Sequence, residues 1–249
     1  IGSDKTHLLV DTGISKKKIE EGLAHLELDG ENISGILITH EHSDHINGLG
    51  VMSRKFGIPI YATEGTISTI KNAKNLGAID EELFRVIRAD EKMILKDITV
   101  NPMRISHDAA DPVAYRFQHG KKRMAIATDL GMYDEYTVES LKGMDVLFLE
   151  ANHDVNMLQV GPYPYYLKQR ILGKRGHLSN ETSGKLLSRL MHDGLKAVCL
   201  GHLSKENNLE ELAYETVRLE VTMSDTSYKA GDFPIYVANR SELSQVMEA

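Results

Sequence analysis

The chain has 249 residues, of which 41% are hydrophobic, and its formal net charge is −7. The acidic balance argues against a generally basic protein that coats nucleic acid. It does not exclude a phosphodiester substrate, because bound divalent cations make an acidic site locally positive. No apolar stretch is long enough to span a membrane, and no linker, repeat or low-complexity tract divides the sequence. We therefore predict one domain over residues 1–249 that does not enter a membrane.

The predicted elements fall into three regions. The first alternates strands and helices: a strand at 7–10, a helix from Ser15 to about Leu28, a strand at 35–39, a helix at 46–56, a strand at 58–61 and a helix from Glu64. From 83 to 127 apolar and polar residues alternate, which indicates successive strands with a hairpin turn at 119–122. Helices at 135–141, 180–192 and 209–221 then alternate with strands at 145–149, 196–200 and 234–237. This order predicts an α/β protein with two mixed sheets packed face to face and helices outside.

A cluster of metal-binding residue types lies in the segment Thr39-His40-Glu41-His42-Ser43-Asp44-His45. The segment joins a predicted buried strand to a predicted helix, and a turn of this kind can direct alternate side chains at two neighbouring ions. Imidazole suits Zn, Fe, Ni or Cu, whereas carboxylate suits harder ions, so the mixture favours borderline divalent metals. A solvated His-rich loop is the alternative.

The single cysteine, Cys199, cannot form an internal disulfide. It lies in the apolar run from Ala197 to Leu200, which predicts a buried, reduced thiol and therefore a cytoplasmic protein. The chain begins with Ile1 instead of Met. We expect that part of the natural N-terminus precedes it.

The motifs resemble those of the metallo-β-lactamase superfamily. They are Asp11 in LLVDTG, His40-x-His42-x-Asp44-His45, His107 in SHDA, Asp129 in ATDLG and His202 in LGHLS. More narrowly, THEHSDHINGLG, EANHD at Glu150 to Asp154 and GHLSN at Gly176 to Asn180 resemble the YycJ/WalJ (VicX) branch. The resemblance implies an αββα four-layer sandwich with two divalent metal ions at one edge of the sheets, and for the branch it implies exonuclease activity on DNA. It also implies an N-terminal strand with a Gly-Ser-Ser-Gly-Asn loop, which would precede the start of this chain.

The resemblance also implies two sets of metal ligands. One metal would be held by His40, His42 and His107, the other by Asp44, His45 and His202, and Asp129 would bridge them. Zn, Mn and Fe are all compatible with these ligands. Each of His107, Asp129 and His202 follows a predicted strand, as expected for a site at a sheet edge, although a surface His or an ordinary turn Asp is the alternative. Asp11 would orient a ligand histidine or form a plain turn.

Two further residues complete the predicted chemistry. Glu150 ends an apolar strand and His177 precedes a predicted helix, an arrangement similar to the Glu–His pair of the tRNA 3′-processing nucleases in this superfamily. We expect Glu150 to orient His177, which would donate a proton to the leaving oxygen or stabilise charge on the phosphate. With Asp44, these residues are the predicted catalytic group. A local capping role is the alternative for His177, and His153 either joins the site or folds back onto its own loop.

The segment Pro162 to Arg175 contains three tyrosines and four basic residues. It would stack bases and hold a strand backbone, or it would form an amphipathic helix whose tyrosines face the core.

The leading function hypothesis is a dinuclear metal-dependent phosphodiester hydrolase, specifically a DNA exonuclease, with nucleic acid as its substrate. Alternatives are a phosphodiesterase acting on RNA or on small or cyclic nucleotides, and a regulatory nucleotide-binding module without turnover. A lactam or thioester hydrolase is disfavoured because lactamases commonly place Cys where Asp129 stands, and the segment after His202 is short for a glyoxalase-type helical domain. A diiron oxidoreductase of this fold would usually carry Glu where His42 is.

Overall fold

The computed structural model describes residues 1–240 and 242–249. The chain divides into two compact units, and each is described by itself. The first comprises residues 1–104 and 109–115, and the second comprises residues 105–108 and 116–249. The prediction of a single domain stays a prediction.

The first unit contains a four-stranded sheet, in which the strands lie in the order β1-β2-β3-β4 and all pairs are parallel. The strands β5 and β6 pair antiparallel and belong to the other, seven-stranded sheet. The strands are β1 (His7–Val10), β2 (Ile33–Leu37), β3 (Ile60–Thr63), β4 (Phe84–Ile87), β5 (Met93–Leu95) and β6 (Ile98–Arg104). The helices are α1 (Lys16–His25), α2 (Ser43–Ile46), α3 (Leu49–Phe56) and α4 (Glu64–Asn72), with short 3₁₀ turns at Gly30–Asn32, Lys74–Leu76 and Glu81–Leu83.

The helices of the first unit pack on the sheet through aliphatic side chains. Ile36 and Ile60 from neighbouring strands, Leu49 and Met52 from α3, and Ile70 from α4 belong to one buried cluster. Complete removal of such side chains from water stabilises a fold by roughly 1.5–3 kcal/mol each. This packing holds the ends of β1 and β2 side by side, with Val10 opposite Leu37.

The predicted helix at 46–56 is wrong as a single helix, because the structure divides it into α2 and α3 at Asn47 and Gly48. The Gly48 amide donates to the Thr12 carbonyl at 2.7 Å. A Cβ atom on Gly48 would lie 2.4 Å from the carbonyl oxygen of Ile14. The close approach of the two backbones therefore interrupts the helix and requires glycine there.

In the second unit the strands lie in the order β11-β10-β9-β8-β7. They are β7 (Val113–His119), which begins in the first unit, β8 (Lys122–Ala127), β9 (Val146–Glu150), β10 (Ala197–Gly201) and β11 (Ile235–Val237). The helices are α5 (Glu135–Leu141), α6 (Val155–Val160), α7 (Tyr165–Leu172), α8 (Asn180–Leu190) and α9 (Glu210–Met223). The predicted hairpin turn contains Gly120, which has a positive φ of 59°.

Parallel pairing in the second unit aligns the carboxyl ends of three strands. Ala127 lies opposite Leu149, and Glu150 lies opposite Gly201. Residues that follow β8 and β10 therefore emerge beside the last residue of β9. The two sheets flanked by helices confirm the predicted α/β class. In the described part of the chain, no helix combines the length and the apolar character needed to cross a membrane.

Candidate metal centre

In the first unit, three imidazoles pack closely in the turn after β2. The ring centroids of His40 and His42 are 4.5 Å apart, and those of His40 and His45 are 4.1 Å apart. His42 is the N-cap residue of α2, but its side chain makes no capping hydrogen bond. His40 and His45 are buried. The imidazoles of this turn therefore pack against one another. A solvated loop, which was the alternative, would expose them to solvent.

The Asp11 carboxylate holds this turn in place. Its Oδ1 accepts a hydrogen bond from the Thr39 amide at 2.8 Å, and its Oδ2 accepts from the Thr39 hydroxyl at 2.7 Å. Oδ2 also lies 2.7 Å from Nδ1 of His45. Because a carboxylate only accepts, Nδ1 of His45 carries the proton, and Nε2 keeps the lone pair that a metal requires. Asp11 is thus placed to orient a histidine.

Gly13 is a residue of this region that the sequence did not single out. A Cβ atom on Gly13 would lie only 1.4 Å from the carbonyl oxygen of Asp44. The neighbouring Thr12 amide donates to the His45 carbonyl at 2.7 Å. The loop after β1 is therefore fitted against the backbone of the histidine turn. The Asp44 side chain is exposed, and its Oδ2 lies 3.7 Å from Nε2 of His45.

In the second unit, Asp129 and His202 follow β8 and β10 in an unusual backbone conformation. Their φ angles are 60° and 57°, in the left-handed region that non-glycine residues rarely adopt. Asp11 in the first unit has the same conformation, with φ of 59°. Strained residues of this kind occur at functional sites, although Glu27, Asp90 and Lys96 adopt the same conformation outside this one.

The donor atoms around Asp129 have the spacing of metal ligands. Its Oδ1 lies 3.5 Å from Nε2 of His107 and 3.5 Å from Nε2 of His202. These distances are long for hydrogen bonds. Two ligands that each lie about 2.0–2.1 Å from one tetrahedral ion are about 3.4 Å apart. The residues of this unit therefore fit a divalent ion in both donor type and spacing.

His107 is fixed by the loop that precedes His177. Its Nδ1 lies 3.0 Å from the Gly176 carbonyl oxygen, so Nδ1 is the donor and Nε2 is left for a metal. The Arg175 side chain in turn donates through Nε to the His107 carbonyl at 3.0 Å. This arrangement supports the ligand role over that of an ordinary surface histidine.

Glu150 is fully buried and accepts from four donors. Its Oε1 lies 2.9 Å from Nδ1 of His177 and 2.9 Å from Nδ1 of His202. Its Oε2 accepts from the amides of Leu130 at 2.9 Å and Leu178 at 3.1 Å. Burial alone would raise the pKa of Glu150, but the two histidines outweigh it and lower that pKa. The contact with His177 is the one that the sequence predicted, whereas the contact with His202 was not foreseen.

His177 is the more accessible member of the Glu150–His177 pair, with a side chain that is 20% exposed. Burial lowers the pKa of His177, but the Glu150 charge and hydrogen bond outweigh it, so that the pKa is raised. The helix α8 after it is capped by Ser179, not by His177. A local capping role therefore does not explain His177.

His153 is buried, and neither of its ring nitrogens hydrogen bonds to any residue that the structure describes. Burial lowers the pKa of His153 to about 4. Its backbone carbonyl accepts from the Asn180 amide at 2.9 Å, at the first residue of α8. The contact shown for His153 is therefore a backbone contact at the start of α8, and its side chain makes no hydrogen bond to the described residues of the site.

Within the second unit, one group of four residues offers ligand atoms that all lie within 4.8 Å of one another: Asp129, Glu150, His177 and His202. Each of the two ligand sets implied by the superfamily takes residues from both units. Those sets stay predictions.

Comparisons with known proteins agree with the geometry. Residues 6–202 match the Beta-lactamase superfamily domain. The exodeoxyribonuclease WalJ of Streptococcus pneumoniae serotype 2 (strain D39 / NCTC 7466) is 40% identical over 234 residues, which cover 94% of this chain and 87% of WalJ. The exodeoxyribonuclease YycJ of Bacillus anthracis is 39% identical over 217 residues, or 87% of this chain and 81% of YycJ.

Solved structures show the same fold. The crystal structure of Zn²⁺-bound PqqB from Methylobacterium extorquens matches with a TM-score of 0.70 and 17% identity, over 96% of this chain and 83% of PqqB. This likeness establishes the fold, and the sequence identity to WalJ and YycJ establishes the narrower group. The chain therefore belongs to the metallo-β-lactamase superfamily and, within it, to the YycJ/WalJ branch.

Proposed function

We propose that this protein is a metal-dependent exonuclease that hydrolyses phosphodiester bonds of DNA. The observation that carries the proposal is the arrangement around Asp129, where two imidazole nitrogens lie at ligand spacing from one carboxylate oxygen. Beside it, a buried glutamate holds a partly exposed histidine at 2.9 Å. The names of WalJ and YycJ, both exodeoxyribonucleases, support DNA as the substrate.

We infer that the protein binds two divalent ions, Zn, Mn or Fe. The ligands would be His40, His42 and His107 for one ion, Asp44, His45 and His202 for the other, and Asp129 for both. When bound, such ions polarise the phosphate and activate water for in-line displacement at phosphorus. Asp11 and Glu150 support the proposal, because each fixes Nδ1 of a proposed ligand and so leaves Nε2 available.

The catalytic group in this proposal comprises Asp44, Glu150 and His177. Glu150 accepts a hydrogen bond from Nδ1 of His177. Nε2 of His177 is therefore the nitrogen that would donate a proton to the leaving oxygen. The raised pKa of His177 keeps more of the imidazolium form at neutral pH. Asp44 lies at the exposed rim of the histidine turn, where its carboxylate is accessible to substrate and metal.

The test is release of nucleotides from end-labelled single-stranded and double-stranded DNA and RNA. Metal-stripped protein is resupplied separately with Mn and Zn, and the Asp129→Ala and His177→Ala variants are compared with the exposed controls Asp225→Ala and His119→Ala. We expect metal-dependent shortening from one end of DNA, lost in the first two variants and retained in the controls.

Three results would change the proposal. Unchanged turnover by Asp129→Ala would exclude the dinuclear mechanism. Failure to cleave any polymer, together with turnover of bis-p-nitrophenyl phosphate, would move the natural substrate to small or cyclic nucleotides. Nucleotide binding without any turnover would favour a regulatory module.

We also propose that the protein acts in the cytoplasm. Its single cysteine is buried, and burial raises the pKa of the Cys199 thiol to about 11. A thiol of this kind is suited to a reducing compartment and serves no redox chemistry. Fractionation of cells that produce the full-length protein is the direct test.

A further inference from the structure

We propose that two exposed tyrosines on α7, Tyr165 and Tyr166, form a stacking platform for unpaired bases of single-stranded DNA. We call the pair the tyrosine platform. The inference rests on the proposed function, because it names how the same site would receive its substrate. It adds a binding surface outside the metal ligands and the proton donor.

The first observation is exposure. Tyr165 is 76% exposed and Tyr166 is 74% exposed. No residue of α7 is buried, so the helix is not an amphipathic element whose tyrosines complete the core. Aromatic rings presented to solvent on a helix contribute little to folding, whereas they can stack with any base because every base has a π face.

The second observation is that the end of α7 contacts the loop before His177. The His177 amide donates to the carbonyl of Ile171, in the last turn of α7, at 3.0 Å. A Cβ atom on Gly176 would lie 2.0 Å from that same carbonyl oxygen, so the helix end and the loop before His177 are in close contact. Movement of α7 would therefore displace the proposed proton donor.

Two basic side chains hold the rest of the helix. Lys168 donates through Nζ to the carbonyls of Gln159 and Gly161, each at 2.7 Å. Arg170 pairs through Nε with Asp108, the residue next to His107. Both basic residues are thus committed to positioning α7. The platform is consequently a fixed surface and not a flexible arm.

Charge favours nucleic acid as the occupant of this surface. Residues 162–175 contain four basic and no acidic residues, within a chain whose net charge is −7. Asp108 neutralises Arg170, so Lys168, Lys174 and Arg175 carry the local positive charge. Lys174 is exposed and forms no ion pair with any residue in the described part of the chain. It lies in the loop between α7 and His177, where its ammonium group is available to a phosphate. Aromatic rings beside local positive charge are the usual components of a single-strand binding surface.

The spacing indicates which bases the platform would contact. Tyr166 and Tyr165 precede Ile171 by five and six residues, or roughly 7–9 Å along the helix axis. Stacked nucleotides are about 3.4 Å apart along one strand. The platform would therefore hold bases a few nucleotides away from a phosphate bound beside His177. A blunt duplex, whose bases are paired and stacked inside, would not use it.

The test is fluorescence anisotropy of a labelled single-stranded oligonucleotide with the whole chain in chelator, so that binding is measured without hydrolysis. We expect the Tyr165→Ala, Tyr166→Ala double variant, which removes both rings, to bind at least about 30-fold more weakly. The Tyr→Phe double variant keeps the rings and should bind like the wild type. Met223→Ala is the control, because Met223 is 74% exposed on α9.

An oligonucleotide with abasic sites sharpens the test, since it keeps the phosphates and removes the stacking partners. The wild type should bind the abasic strand more weakly than the normal strand. The double alanine variant should bind both strands equally. Equal affinity of wild type and double alanine variant for the normal oligonucleotide would overturn the proposal. Equal binding of normal and abasic strands by the wild type would also overturn it.

Hydrolysis separates the two proposals. With metal restored, the double alanine variant should show a raised KM for single-stranded DNA with kcat largely retained. A wild type that binds the strand through the tyrosines but hydrolyses nothing would defeat the proposed exonuclease and leave the platform standing. A wild type that hydrolyses DNA equally well without the two rings would defeat the platform alone.

Discussion

Replacement of Glu150 by glutamine tests the charge at the centre of the second unit. The carboxylate is 0% exposed and accepts four hydrogen bonds, two from histidine side chains and two from amides. Its pKa lies below the 4.5 of an unperturbed glutamate, despite burial. The charged form therefore stabilises the native state at pH values above about 4.5, and this contribution is lost as the pH falls further.

The expected cost follows from the four hydrogen bonds. A bond to a charged acceptor contributes about 1 kcal/mol more than a bond to a neutral one. In Glu150→Gln the two bonds from amides keep a neutral acceptor and the two bonds from histidines lose theirs, so the free energy of unfolding should fall by at least about 2 kcal/mol. The glutamine side chain would present N–H groups to His177 and His202. In each ring Nδ1 must then become the acceptor, and the proton must move to Nε2. A protonated Nε2 cannot bind a metal, so metal affinity should fall as well.

Urea unfolding of metal-free protein, followed by circular dichroism at neutral pH and again below pH 4.5, measures the effect. The difference between wild type and Glu150→Gln should shrink at the lower pH. Glu215→Gln is the control, since Glu215 forms an exposed ion pair with Arg218 and its replacement should leave stability almost unchanged. If Glu150→Gln is as stable as the wild type at neutral pH, the reasoning about the buried charge is refuted.

Two other substitutions and one labelling experiment test further parts of the structure. Asp11→Asn replaces an acceptor of three hydrogen bonds, and chelator competition should show metal affinity lowered by about 10- to 100-fold; an unchanged affinity would mean that Asp11 only forms a turn. Gly13→Ala places a methyl group 1.4 Å from the Asp44 carbonyl oxygen, so urea unfolding should show a loss of more than about 2 kcal/mol, against almost none for the unobstructed Gly231→Ala. Cys199, whose pKa is raised to about 11, should resist a thiol reagent at pH 8 in the native protein and react fully in denaturant. Rapid native labelling would contradict its burial.

The sequence predicted those parts of the site that depend on local pattern. Apolar runs indicated where strands end, and residues directly after those ends include Asp11 and His202, as the structure has them. Ser15 was expected to start α1, and its side chain indeed accepts from the Lys18 amide. Such features are visible in sequence because strand ends and helix caps are set by a few neighbouring residues.

Other features depend on contacts between distant segments, and local pattern does not contain them. The division of α2 from α3 arises where Gly48 meets the backbone of Thr12. The contact of Glu150 with His202 joins residues 52 positions apart, and it depends on the parallel register of β9 and β10. Periodicity reports which face of an element is buried, but not which distant backbone passes close to it.

Two residues of the site, Asp129 and His202, have a left-handed backbone conformation that distant contacts support. Asp129 and His202 adopt a conformation that costs about 1–3 kcal/mol for a non-glycine residue, and glycine at either position would relieve that cost. The surrounding structure compensates: the His202 carbonyl, for example, accepts from the Asn152 side chain at 2.9 Å. Glu27, Asp90 and Lys96 adopt the same conformation outside the site, so the conformation alone does not identify a metal ligand. At Asp129 and His202 the left-handed turn coincides with a carboxylate oxygen 3.5 Å from an imidazole nitrogen. The two observations together fit metal binding, because that role requires the functional group and the sharp turn at the same residue.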